Sequence, residues 1–157
     1  MVRRLDRVVL VAISVAIAAC GGKQQSPTPA PQTMQSAVTT FLSAVKDSNI
    51  ARMGQLWGTE RGPAANWMEP VALSQYLMTI HKYWTHVSAR IIEGPLPVPG
   101  NERMRTFRVE LVRSNCTRVV PMDVIQSNNG GWLVKDVHLE SVGNPRIACG
   151  PAGGTRP

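Results

Sequence analysis

Asp136 and His138 stand two apart near the end of the run Gly131-Trp132-Leu133-Val134-Lys135-Asp136-Val137-His138-Leu139. A carboxylate beside an imidazole can pass a proton when burial and mutual charge displace both pKa values. Residues two apart on a strand project to one face, so this pair would share the side of Trp132 and Val134. The opposite face, Leu133, Val137 and Leu139, has an equal claim to the core. Strand ends are commonly solvated, so the plainer reading makes Asp136 and His138 strand-end polar groups. No residue is assigned as catalytic outright, and this pair is the alternative.

Other chemistry-bearing residues have plain explanations beside the functional ones. Tyr76, Ile80 and Tyr83 recur at helical spacing and could present hydroxyls to an oxyanion, yet the same spacing is that of any packed helix. His81 and His86 are five apart across a helix end, a spacing that does not itself build a metal site. Arg103, Arg105, Arg108, Arg113 and Arg118 are the densest charge on the chain, but Arg108 opposes the parity of Arg103, Arg105 and Arg113. An anionic partner is the functional reading, and a solvated strand face or a guard against edge pairing is the ordinary one. No phosphate loop, GxSxG, HExxH or CxxC occurs. No metal and no cofactor is expected, and no nucleic-acid motif is visible.

The elements that must position these groups follow from periodicity. Ala37, Val38, Phe41, Leu42 and Val45 form one helical face, with Thr33 as its cap. Asp47-Ser48-Asn49 makes a corner, and Ile50, Met53, Leu56 and Trp57 begin a shorter helix stopped by Gly58. Residues 59–68 show no period and predict a loop. A third helix begins near Pro70, with Leu73, Leu77, Ile80 and Trp84 along one side.

From Val87 onward the period becomes two. Val87, Ala89 and Ile91 predict a strand, and residues 94–101, with three prolines, a stiff loop. Phe107, Val109 and Leu111 mark a second strand. Val119 to Ile125 mark a third, whose Pro121 suggests an edge or bulge. Asn128-Asn129-Gly130-Gly131 supplies a turn before a last strand, Trp132 to Leu139. The result is an α+β domain: three N-terminal helices packed on a curved antiparallel four-stranded sheet.

The amino end carries an address. Arg3, Arg4 and Arg7 precede an apolar run from Val8 to Ala19, too short to span hydrocarbon and consistent with a cleaved signal. The tetrad Ile17-Ala18-Ala19-Cys20 resembles the bacterial lipobox. That resemblance implies acylation (palmitate included) of a mature chain beginning at Cys20, and so a membrane partner through the lipid anchor. Gly21 after the cysteine resembles the outer-membrane sorting pattern, on the periplasmic side in a cell with two membranes. Residues 1–19 are then signal peptide and residues 20–32 the lipidated cysteine with a proline-rich tether, extended at about 3.1 Å per residue. The folded domain takes residues 33–149, and residues 150–157 form a disordered Gly/Pro-rich tail. About 115 residues suffice for one domain. The net charge of +7 falls to about +5 without the signal, basic but with no polybasic membrane patch. Once Cys20 is lipidated, Cys116 and Cys149 are the cysteines left, and an oxidising compartment predicts a disulfide between them.

The helix Val38 to Val45, the corner Asp47-Ser48-Asn49-Ile50-Ala51-Arg52-Met53, the Trp57-Gly58 stop and the closing Gly131 to Val137 strand together resemble the nuclear transport factor two-like superfamily. Its cystatin-like cone wraps a curved sheet around a long helix. The resemblance covers roughly residues 33–142 and implies a cone interior, with Tyr76, Trp84 and Trp132 as its lining, that could hold an apolar small molecule. It also allows a homodimer through the sheet. The function it suggests is a noncatalytic binding or scaffolding module at the cell envelope. Alternatives are a small ketosteroid-isomerase-like or polyketide-cyclase-like enzyme using Asp136 and His138, or an accessory subunit bound to an envelope or secretion protein.

Overall fold

The computed structural model of the chain describes residues 29–114 and 116–147. Cys20, Cys149, the signal, most of the tether and the tail at 150–157 lie outside the described residues. Helix α1 (Met34–Lys46) starts at Thr33, whose hydroxyl accepts from the Ser36 N–H while the Ser36 hydroxyl reaches back to the Thr33 N–H, a reciprocal cap. Its buried face is Ala37, Val38, Phe41, Leu42, Ala44 and Val45. Ser48 takes the corner at φ 54, and the Asn49 side chain caps α2 (Ile50–Leu56) by accepting from the Arg52 N–H at 2.9 Å. Helix α3 (Pro70–Trp84) has proline in its first turn. The Glu69 carboxylate accepts from the N–H groups of Val71 and Ala72. Leu73, Leu77, Ile80 and Trp84 are its buried side, as the spacing predicts.

The loop expected at 59–68 is instead ordered. Two short strands, β1 (Gly58–Thr59) and β2 (Gly62–Pro63), make a hairpin, followed by a 3-10 turn at Ala64–Asn66. Two-residue strands carry no readable period, and Trp57, bridged in parallel to Val134, holds the hairpin against the main sheet.

That sheet is an antiparallel meander in the order β3 (Ser88–Val98), β4 (Asn101–Val112), β5 (Thr117–Gln126) and β6 (Trp132–Asp136). Of the segment 94–101 expected to be a loop, Gly94 to Val98 belongs to β3, and Pro99 and Gly100 make the turn into β4. Pro95 and Pro97 are tolerated because β3 is an edge strand whose pairing with β4 slips at Glu93 and Leu96. Pro121 lies in β5, between β4 and β6. Yet β6 ends where Asp136 faces Asp123, so β5 has no strand on that side beside Pro121, and the edge expectation holds locally. The last strand is shorter than expected. It stops at Asp136, and a fourth short helix, α4 (Leu139–Val142), follows.

Phe107, Val109, Leu111, Val120, Met122 and Val124 line the inner face of the sheet, all with no exposed surface. They meet Val38, Phe41 and Val45 of α1 and Ile80 and Trp84 of α3 in one cluster. Side chains thus fill the space between helices and sheet.

Candidate functional site

The chemistry at the end of β6 is set by a slip in the sheet. Val124 pairs with Val134, but Asp123 pairs with Asp136, so one residue bulges and strand alternation is lost. The Asp136 carboxylate then turns onto its own backbone, accepting from the N–H groups of Val137 at 2.7 Å and His138 at 3.1 Å, and the strand ends. His138 sits beyond it in a left-handed conformation, φ 43 and ψ 63, at the start of α4. The expectation that Asp136 and His138 project from one strand face is therefore corrected: a local side-chain turn outcompetes the ladder.

The imidazole of His138 lies between two other carboxylates. Its Nε2 is 3.0 Å from Asp123 Oδ2, and its Nδ1 is 3.1 Å from Glu140 Oε1. Asp123, 9% exposed, accepts from the Thr106 hydroxyl at 2.5 Å on its other oxygen. Burial alone would lower the His138 pKa. The hydrogen bond and charge of Asp123, with the charge of Asp136 and the hydrogen bond to Glu140, outweigh it and raise the pKa. The raised pKa favours the imidazolium, the form in which both ring nitrogens donate, one to each carboxylate. The row Thr106, Asp123, His138 and Glu140 ties β4, β5 and α4 together as an ionic clamp. Asp123 was missed from sequence, although a lone carboxylate inside the apolar run Val119 to Ile125 was the available signal.

The three aromatic residues expected to line a cavity are separated. Trp84 is fully buried and its indole N–H donates to the Val137 carbonyl at 2.9 Å. Tyr76 is exposed on α3 with its ring edge-on to Trp57, centroids 5.5 Å apart. Burial first, then the negative charge of Asp136, raises the Tyr76 pKa, so the phenol keeps its proton. Trp132 is partly buried beside the first described residues, its backbone N–H donating to the Pro31 carbonyl. An open apolar groove lies elsewhere. It has a volume of about 400 Å³ and runs between α2, the 3-10 turn and α3, lined by Ile50, Met68, Leu73 and Leu77 with the polar side chains of Gln55 and Ser74. No sequence period marks it, because Met68 and Ala65 come from the aperiodic segment.

The remaining candidates resolve into local roles. His81 Nε2 is 3.0 Å from the Ser48 hydroxyl, and His86 Nδ1 is 2.7 Å from the Trp84 carbonyl. Arg108 pairs with Glu93 and Arg90 with Glu110 across strands, Arg103 donates to Asn128, and Arg105 to nearby main-chain carbonyls. Arg113 is buried. The arginines do not form one patch. Cys116 is disulfide-bonded, while Cys149, the partner expected for it, lies outside the described residues. Among the described residues no group of three His, Cys, Asp or Glu side chains is placed to hold a metal ion, and no helix is long and apolar enough to cross a membrane. No protein-family model, curated protein or solved structure matches the chain.

Proposed function

We propose that the chain is an exported bacterial lipoprotein, anchored through Cys20, whose domain is a noncatalytic binding module for an apolar small molecule. The groove between α2 and α3 carries this reading. Its volume, about 400 Å³, falls in the range of small-molecule sites, and no charged side chain lines it. Gln55 and Ser74 would orient a ligand with one polar end. The clamped ring of His138 weighs against the proton-transfer enzyme, since both its nitrogens are already engaged by Asp123 and Glu140.

Ala51 lines the groove from the exposed side of α2, so Ala51→Trp fills the space without entering the core. Wild-type protein should enhance Nile red fluorescence and Ala51→Trp should not, with both melting alike. Equal enhancement by a folded Ala51→Trp protein would remove the groove as the site. The anchor is tested separately: in a bacterial host fed labelled palmitate, the wild type should be labelled and fractionate with membranes, and Cys20→Ala should do neither. Equal labelling of both would overturn the lipoprotein reading.

A further inference from the structure

A second, chemically different cavity opens under the end of α3. Arg113, just past β4, is 8% exposed. One terminal nitrogen donates to the Tyr83 carbonyl and the other reaches the Val142 carbonyl at 3.4 Å, while Nε has no hydrogen-bond partner. None of the ion pairs among the described residues includes Arg113. Among the described residues this buried guanidinium is held by neutral carbonyls and has no counter-charge to offset its desolvation.

Arg113 lines a cavity of about 180 Å³ together with Thr85, His86, Val87, Ser114 and Pro145. That is room for several waters or one small ligand, given about 30 Å³ per water. Nδ1 of His86 is committed to the Trp84 carbonyl, which leaves Nε2 for a ligand. Among the described residues, the charges that shift His86 and Arg113 are those of Lys46, Arg113 and Arg118, all positive. Burial lowers the His86 pKa, against the Trp84 carbonyl, and the cations Lys46 of α1 and Arg113 lower it further. Burial and the charge of Arg118 on β5 act on Arg113 in the same sense.

We propose that this cavity binds a small oxyanion, a carboxylate or phosphate group, seated between the Arg113 guanidinium and the His86 imidazole. The anion supplies the counter-charge that Arg113 lacks among the described residues and accepts from His86 once protonated. The site is independent of the apolar groove, and it would give the module a second, charged specificity.

The test is the titration of His86, followed by ring-proton NMR on the full-length chain in non-ionic detergent, with His86→Gln for assignment. It is run at constant ionic strength in chloride, acetate and inorganic phosphate. Either oxyanion should raise the His86 midpoint by about one unit relative to chloride, and which of the two does so identifies the preferred group. In Arg113→Met, which keeps the stem's bulk, the midpoint in chloride should rise and the oxyanion effect should vanish. The same midpoint in all three salts in the wild type overturns the proposal whether or not the variant folds. An oxyanion effect that survives in a folded Arg113→Met overturns it as well.

Discussion

His138 is held by opposing requirements. Its left-handed backbone is unfavourable for a residue with a Cβ, by about 1 to 2 kcal/mol, and its two ionic hydrogen bonds offset that. His138→Gly should relieve the backbone while losing the clamp, and His138→Ala should lose the clamp and keep the strain. Alanine is therefore expected to be the less stable by about 1 kcal/mol in urea unfolding. The clamp also carries a pH signature. The folded-state pKa of His138 lies above the ordinary 6.5, so its contribution is complete below that value and is lost as pH rises through the folded pKa. The stability gap between wild type and His138→Gln should be larger near about pH 5.5 than near about pH 8.5. A gap that stays constant, or widens in base, would show that the imidazolium is not what stabilises this corner.

Individual elements are joined by a few contacts whose loss should be measurable. Trp84 hangs α3 on the connection after β6 through its bond to the Val137 carbonyl. Trp84→Phe leaves that buried carbonyl unpaired and should cost about 1 to 3 kcal/mol. Trp84→Ala should cost about 3 to 5 kcal/mol, more than the same change at the partly buried Trp132. Thermal melts that ranked Trp132→Ala as the worse variant would contradict this packing. The edge strand β3 makes a second case. A Cβ on Gly94, at φ 117, would stand 2.8 Å from both the Phe107 ring and the Thr106 carbonyl, whereas one on Gly100 would meet open space. Both substitutions strain the backbone by about 1 to 3 kcal/mol, but Gly94→Ala must also displace β4 and should be markedly the more destabilising.

For the whole molecule, the proposed Cys116 to Cys149 link would tie the segment after α4 back to the turn between β4 and β5. Closing a loop of about 34 residues contributes on the order of 3 to 4 kcal/mol in the chain-entropy model, a large share of the stability of a domain this size. Nonreducing peptide maps of exported protein should recover the linked pair, and reductant should lower the urea midpoint. Free thiols at both positions would refute the pairing. The surface ion pairs Arg90–Glu110 and Arg108–Glu93 should matter little by comparison, since solvent screens them.

Periodicity alone determined the three main helices and the antiparallel, four-stranded meander. Burying one apolar face is a local property, written at 3.6 residues in α1 and α3 and at two in β4. Thr33 as a cap and Pro70 as a first-turn residue were legible for the same reason: each acts within a few residues of itself. The candidate site was not. Asp123 and His138 lie 15 residues apart and meet only because β5 and β6 pair with a bulge, which no spacing announces. Prolines that locally argue for a loop are accepted in β3 because the sheet leaves that strand at its edge. The buried Arg113 reads in sequence like its neighbours on β4, and only the packing of α3 and α4 over the sheet strips it of water and, among the described residues, of a counter-charge. Charge and burial at a site are sums over distant elements, so the tertiary structure alone decided them.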